Sequence, residues 1–531
     1  MSDGNIGYLS KAKRDITEKR YDDEKRKQPG VAFPSAIKQE HLFIIRFDIA
    51  HYISGDKQKD NAIVRRGLKN LCGLFDKINS KKTKMDEISD DGDINRQPLS
   101  NFNFSSTIGF GIGFFEKLNI IQANRPNGLK EMPGNAELGD PTKYTLLQTD
   151  FIIQLGAKDD YVNRWVFQNS TAIHDKQENI RNVYQGQLRT DPLEHIEEQE
   201  PQDIFTALRP WAKITDVHAG FQRIDGKNLL GFNDGISNPD RLANTVVWTN
   251  LQDEKAKFKD STYMVFQKIE HDLERWRNMH VEKQEQWVGR SKETGLLLGT
   301  LPKAQDRKLA SDLHSEDAVI RESAFKKWKT FYEEQQDPEK KFFDSNQPRY
   351  RNIQLECPIW SHVRKANPRQ ADRAAKSLIF RRGYPYIDAG LNGKSTSGLL
   401  FVCFQRNIET SFENIKKNFL NNDNFPVPQQ RANFNTEELR KRYNYGRFTL
   451  DEIRRLSRSD ATISSHIQDA LSDGIDEDTQ NTGKDGLSGP SELGVYPGGQ
   501  VPITTTLGGG YYFIPPIPNK NIGKISEQFF D

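Results

Sequence analysis

The stretch GFNDGISNPD, residues 231–240, poses the question that decides how this chain is read. Gly231, Asn233, Asp234, Gly235, Asn238 and Pro239 are turn residues, each with its own reason to bend a backbone. Phe232 and Ile236 sit among them and favour cover, and the apolar pair Leu229-Leu230 leads in. A solvated surface loop does not need one carboxylate, Asp234, held between apolar neighbours and directly before a glycine.

Outward from this stretch the chain alternates strands and helices. Upstream, HLFIIRFDIA (41–50) predicts a strand. KDNAIVRRGLKNLCGLFDKI (59–78) puts Ile63, Val64, Leu68, Leu71, Cys72 and Leu74 at helical spacing. STIGFGIGFFEKL (106–118) and TDFIIQLGAKDD (149–160) predict two further strands, and DDYVNRWVFQNSTAIH (159–174) a second helix. Downstream a related rhythm returns. STYMVFQKIEHDLERWR (261–277) predicts strand then helix, SLIFRRGYPYI (377–387) and GLLFVCFQRNI (398–408) predict strands, and ETSFENIKKNFL (409–420) a helix. Two α+β units with antiparallel sheets fit this order better than a doubly wound parallel sheet.

Length agrees, since 531 residues exceed what a single core organises. The expected organisation is a charged N-terminal extension over 1–40 that wraps the surface or stays mobile, a first unit over 41–240 and a second over 241–531. A polar helical insertion is expected at about 280–350 and a mobile loop at about 467–492, with LGGGYYFIPP (507–516) as a final strand. A hydrophobic content of 35% and a mean hydropathy of −0.78 fit long polar insertions on a smaller packed framework.

Lys plus Arg number 76 against 74 Asp plus Glu, a net charge of +2, which gives no electrostatic reason for a nucleic acid or an anionic membrane as partner. Cys72, Cys357 and Cys403 form no CxxC pair, so neither a disulfide framework nor a structural zinc site is indicated. No apolar run approaches the ~18 residues of a transmembrane helix. The N-terminus has no apolar signal core, so a cytoplasmic location is expected. NGKST (392–396) ends like a phosphate-binding loop, but Asp388 stands where the pattern needs glycine. No HExxH or EF-hand pattern is present.

Two more segments carry candidate chemistry. In CPIWSHVRKANPR (357–369), His362 precedes a cationic turn, and in SLIFRRGYPY (377–386) a β-run ends in Arg381-Arg382 and a glycine. Each alone has an ordinary structural explanation: Asx turns, a hydrogen-bonded histidine, solvated arginines. Taken in order, GxxDG, then the histidine, then RRG, they resemble the dye-decolorizing peroxidases. The likeness extends through HAGFQRIDGKNLLGFNDG (218–235), QWVGRSKETG (286–295), GLLFVCFQRNIETSF (398–412) and GGGYYFIPP, from about residue 41 to about 516.

The resemblance implies two ferredoxin-like domains of the dimeric α+β barrel type, holding one haem b per chain mainly in the second. It implies His362 as the proximal iron ligand, Asp234 as the distal acid–base residue and Arg381 as the distal cation. Gly231 and Gly235 are then expected to let the backbone pass close to the porphyrin. An apolar setting disfavours the charged form of a carboxylate, which suits Asp234 to proton transfer. Arg381 keeps its proton and suits charge stabilisation. The implied reaction reduces hydrogen peroxide and oxidises bulky aromatic or phenolic donors such as dyes through a ferryl haem. A ligating histidine usually donates its second N–H to an acceptor. Glu409 and Glu413, four apart, are both candidates, and Asn407 stands where some relatives carry Asp. The alternative function is a haem-handling or haem-sensing protein of the same fold with incidental peroxidase activity. Oligomeric state stays open.

Overall fold

The computed structural model describes residues 26–32, 39–50, 57–79, 84–88, 94–138, 144–168, 203–209, 211–233, 238–239, 245–336, 353, 356–357, 361–367, 377–389, 395–421 and 503–530. The first unit comprises β1 (His41–Ile49), α1 (Lys57–Asn79), a hairpin of β2 (Lys84–Ile88) and β3 (Ile94–Pro98), β4 (Ser105–Phe110), β5 (Phe151–Ala157), α2 (Asp160–Phe167) and β6 (Ala212–Phe221). Its sheet runs β6-β1-β5-β4, antiparallel throughout.

The second unit begins with β7 (Thr262–His271). Four helices follow: α3 (Leu273–Asn278), α4 (Val281–Val288), α5 (Lys303–Leu313) and α6 (Ala318–Gln336). Then come α7 (His362–Ala366), β8 (Phe380–Arg381), β9 (Tyr384–Asp388), β10 (Thr396–Gln405), α8 (Glu409–Leu420) and β11 (Thr504–Ile514). Its sheet runs β11-β7-β10, with β8 and β9 both on the free edge of β10. Both units therefore follow a β-α-β-β-α-β order with the last strand beside the first, the ferredoxin-like α+β arrangement expected from the sequence.

The two sheets merge into one of nine strands where Phe110 of β4 meets Phe513 of β11, and β6 packs against β9 at the other end. Strands β1 and β5 are apolar almost continuously because both their faces are covered. One face packs Leu42, Ile44, Ile152, Phe266, Val402 and Tyr512 together, and the other packs against α1 and the aromatic cluster of Phe47, Phe110, Phe114, Phe151 and Trp211. Arg46 is the exception on β1 and is fully buried. Its guanidinium meets Asp216 of β6 at 2.8 and 2.5 Å and donates to Leu147 O at 2.7 Å, so the charge is paired rather than stranded.

Several expectations need correction. The strand over 106–118 stops at Phe110, and Ile112–Lys117 is a helix. Leu118 N–H donates to Phe114 O at 3.3 Å, four residues back as in a helix, and Phe114 and Phe115 are both buried. The N-terminal extension neither wraps the surface nor moves freely over 26–32. Gln28 fills the fork where β4 and β11 diverge, taking Ile108 N–H at 2.9 Å and donating to Ile108 O at 3.1 Å and Pro515 O at 3.0 Å. The strand over 377–387 breaks into β8 and β9 at Arg382-Gly383. The polar insertion has its own core of Leu309, Leu313, Phe325, Trp328 and Tyr332 between α5 and α6. The loop expected over 467–492 lies outside the described residues. Among the described residues no helix is long and apolar enough to cross a membrane.

Candidate functional site

The segment from Asn228 to Phe232 closes a tight turn. Asn228 N–H donates to Phe232 O at 2.8 Å, and Asn228 Oδ1 accepts from Phe232 N–H at 3.1 Å. Gly231 adopts φ +88°, and a Cβ there would lie 2.5 Å from the Lys292 side chain. The left-handed backbone of this turn is what favours glycine at 231. Asp234 and Gly235 lie outside the described residues. Just beyond them, Asn238 clasps Arg381 through both atoms of its amide, so the turn-rich stretch runs from Asn228 to the edge strand β8.

His362 opens α7 directly after the buried Ser361. The helix can approach α4 because α4 ends at Gly289 in the left-handed region, φ +87°. A Cβ on Gly289 would lie 2.5 Å from Ser361 Oγ and 2.5 Å from Val363. Arg364 Nη1 anchors the preceding turn by donating to Cys357 O at 2.7 Å.

These segments line one cavity of about 260 Å³. The sheet contributes Gln267, Ile269 and His271 from β7, Leu399 and Phe401 from β10, and Arg381. The helices contribute His362 and Val363, and Phe412, Ile415 and Leu420 from α8. Phe232 and Asn233, immediately before Asp234, also line it. Strand alternation explains the sheet wall, because β7 residues 267, 269 and 271 share a face, and Ile269 and Gln267 stand opposite Leu399 and Phe401. The π-type winding of α8 explains the helix wall. Glu413 N–H donates to Ile408 O at 3.0 Å and Asn421 N–H to Lys416 O at 2.9 Å, both five residues back.

The two glutamates differ in environment. Glu409 is exposed, whereas Glu413 is buried and receives Lys130 Nζ at 2.7 Å from the first unit. Neither lines the cavity. Asn407 Oδ1 accepts from Thr410 N–H at 2.9 Å at the start of α8.

Sequence reasoning singled out His362 and Arg381, which share the cavity, and passed over His271, Asn238 and Arg290. His271 is buried, its Nδ1 has no hydrogen-bond partner, and burial pushes its imidazole down to about 4. Asn238 stood in the quoted stretch but reads there only as a turn former. Arg290 follows WVG, inside a stretch read as polar insertion, and its Nη1 donates to Gly295 O at 2.8 Å and Gln335 Oε1 at 3.1 Å.

Residues 225–426, which carry every wall residue just named, match the family model described as Dyp-type peroxidase, C-terminal. Over these residues the chain is similar to the C-terminal domain of the Dyp-type peroxidases. Relatives named Deferrochelatase from Escherichia coli O6:K15:H31 (strain 536 / UPEC) and Escherichia coli (strain K12) are both 33% identical over 196 residues. For the first, the match covers 36% of this chain and 37% of the relative, so it spans little more than a third of either. The crystal structure of a DyP-type peroxidase from Streptomyces coelicolor superposes with a TM-score of 0.50 at 17% identity, covering 94% of both chains. That likeness extends the Dyp-type fold over both units.

The cavity suits a flat metal tetrapyrrole. Apolar side chains form most of its walls, His362 offers one imidazole, and Arg381, Arg290 and Lys416 offer positive charge for acidic substituents. Among the described residues no three His, Cys, Asp or Glu side chains gather to hold a bare metal ion.

Proposed function

We propose that this protein is a haem peroxidase that reduces hydrogen peroxide and oxidises bulky aromatic or phenolic donors, dyes among them. The observation that supports it most is that one cavity receives His362 and Arg381 from separate segments, together with the two residues preceding Asp234. His362 would hold the iron of one haem b through an imidazole nitrogen, and the second unit would supply most of the pocket. When bound, haem supplies the redox chemistry, taking electrons from organic donors one at a time and passing two to peroxide.

The chain's own residues supply placement and charge. An Asp234 carboxylate oxygen takes the proton from one peroxide oxygen and returns it to the departing one. Arg381 cannot lose its proton, so its guanidinium stabilises negative charge as it develops on the departing oxygen. Asn238 fixes the Arg381 backbone from the loop that carries Asp234. The apolar wall of Leu399, Phe401, Ile415 and Leu420 excludes water and strengthens each of these interactions.

A second reading, haem handling, is favoured by the name Deferrochelatase that the matching relatives carry. One experiment separates the two. Haem-loaded protein is given hydrogen peroxide and an anthraquinone dye, and both the dye and the tetrapyrrole are followed. Multiple turnovers of dye with intact haem support the peroxidase. Iron-free tetrapyrrole accumulating without dye turnover supports the second reading. Absence of any haem absorption band after reconstitution overturns both.

A further inference from the structure

Arg381 has a neighbour of equal charge on the other face of the sheet. Register sets Arg381 opposite Cys403 and Phe380 opposite Phe404, and Arg382 N–H donates to Val402 O at 2.7 Å. Successive strand residues point to opposite faces. Arg381 therefore shares the cavity face with Leu399 and Phe401, while Arg382 shares the other face with Phe380, Val402 and Phe404. There Arg382 is buried, and its Nη1 donates to a backbone carbonyl, Gly30 O. A buried charge is costly without such a partner.

Gly30 belongs to the N-terminal segment, and its carbonyl joins the two units. It accepts from Arg382 of the second unit and, at 3.2 Å, from Gln154 Nε2 on β5 of the first. The segment is anchored on both sides of the fork. Gln28 bonds to Ile108 of β4 and to Pro515 just beyond β11, and Arg26 O accepts from Ile517 N–H at 2.6 Å. A single helical turn, Pro29–Ala32, follows, with Val31 and Ala32 N–H donating to Gln28 O at 3.1 and 3.0 Å. Val31 and Ala32 are fully buried in the cluster that holds Tyr384, Val402 and Phe404. Residue 30 has no room for a side chain, because a Cβ there would run into Thr107 Oγ1 and lie 3.0 Å from Ser106 O. Glycine is what lets this carbonyl come close enough to reach Arg382.

We propose that residues 26–32 latch Arg381 from the opposite face of the sheet: Gly30 and Arg382 are positioning residues, and the bond between them fixes the backbone of β8 so that Arg381 keeps its place in the cavity. β8 is only two residues long and pairs with Phe404 and Cys403 alone, so anchors outside the strand ladder carry much of its placement. Asn238 holds the same backbone from the loop side, and Gly30 holds it through Arg382 from the far side. Neither Gly30 nor Arg382 lines the cavity, so each acts through Arg381. The inference rests on the role given to Arg381 above.

The test uses the full chain in four variants: Gly30→Ala, Gly30→Ala with Thr107→Ala, Arg382→Met and Arg382→Lys. The first arm is amide hydrogen exchange of the haem-free protein. Loss of a hydrogen bond to a charged group corresponds to roughly tenfold in an equilibrium. Gly30→Ala and Arg382→Met should therefore exchange about tenfold faster over 380–388, with exchange over α6 unchanged. Arg382→Lys, which keeps a charged donor, and the double variant, which removes the nearest obstacle to a Cβ, should each regain part of the protection. The second arm is the absorption change on mixing haem-loaded protein with hydrogen peroxide. Gly30→Ala and Arg382→Met should be slower at every pH with the acid limb in place, the pattern of a displaced guanidinium, and should load haem normally. If Gly30→Ala does not fold, the two Arg382 variants carry the same comparison. Unchanged exchange over 380–388 overturns the latch, and faster exchange with wild-type peroxide rates overturns its positioning role. A wild-type protein that loads haem but does not react with peroxide overturns the peroxidase reading instead, and the exchange arm then decides the latch by itself.

Discussion

Asn238 holds the backbone of Arg381 across 143 residues of sequence, donating from Nδ2 to the Arg381 carbonyl at 2.7 Å and accepting from its N–H at 2.9 Å. The arrangement imitates a strand pair at the free side of β8. It joins the loop carrying Asp234 to the strand carrying the guanidinium. Asn238→Ala removes both bonds, each worth about 0.5–1.5 kcal/mol net. The expected loss is ~1–3 kcal/mol in thermal unfolding, with slower peroxide consumption and unchanged haem affinity. Asn238→Asp keeps the acceptor for the N–H but sets a charge against the carbonyl, so it should not rescue. A variant with normal peroxide kinetics would show that Arg381 is held by the rest of the sheet.

Much of this frame is legible in the sequence because its strands are covered on both faces and so appear as unbroken apolar runs. HLFIIRFDI and LLFVCFQ are cases in point, and the helix over 409–420 has the predicted bounds. Long-range polar partners are hidden in the same sequence. Nothing local in FIIRFDI announces that Arg46 meets Asp216, 170 residues away, or that Gln28 fills a fork between two strands. Asn238 passes for a turn former because its partner lies on another segment. His271 is a lone histidine in QKIEHDL, and only strand register brings it to the wall with His362. The π-type winding of α8 leaves no pattern in the residues, and the burial of Glu413 beside the exposed Glu409 shows only in the structure.

His362→Ala should abolish haem retention, because no other described histidine offers an imidazole from the helix wall. His218 competes on sequence but faces the interior of the nine-stranded sheet. Its Nε2 lies 3.0 Å from Asp216, and its ring stacks on Phe266 at 5.6 Å between centroids. His218→Ala should therefore lower stability and keep the haem. Absorption spectra after reconstitution decide this, and normal loading of His362→Ala would remove it as the ligand.

Glu409→Gln should leave the haem spectrum unchanged, because Glu409 is exposed and does not line the cavity that His362 lines. Glu413→Gln breaks the pair with Lys130, which is half exposed, so the stability loss should stay within about 1 kcal/mol. A shifted iron–histidine signature in Glu413→Gln alone would mark it as the proximal acceptor through a rearranged side chain.

Acid should destabilise the haem-free protein in a defined window. An unfolded histidine protonates near pH 6.5, whereas burial holds His271 to about 4. Between those values the unfolded chain binds the extra proton, so stability falls as pH falls. The whole window corresponds to roughly 3 kcal/mol. His218 is lowered by burial, against the pull of Asp216, and acts in the same direction. Burial raises the Asp216 carboxyl, but the nearby His218 and the hydrogen bonds from Arg46 outweigh it and hold it well below the usual range. Its contribution is present above pH ~3.9 and is lost only as pH falls further. Melting of wild type and His271→Gln between pH 7.5 and 4 tests this, and identical slopes would count against a neutral buried His271.

The division of labour between Asp234 and Arg381 is the last point, and pH separates what magnitude does not. Loss of one preorganised charge-stabilising group costs ~10²–10³ in rate. Loss of a proton shuttle costs ~10²–10⁴. Their chemistry differs in one respect: a carboxylate must be ionised to accept the peroxide proton, while a guanidinium keeps its charge throughout. Wild type should therefore lose rate on the acid side as Asp234 becomes protonated, and Asp234→Asn should be slow with that limb flattened. Arg381→Leu should be slow at every pH while keeping the shape of the profile. The measurement is the absorption change after rapid mixing of haem-loaded protein with hydrogen peroxide, repeated across pH for wild type and both variants. An Asp234→Asn protein with wild-type rates and the wild-type acid limb would remove the proton-transfer role and leave Arg381, held by Asn238, as the group acting on peroxide.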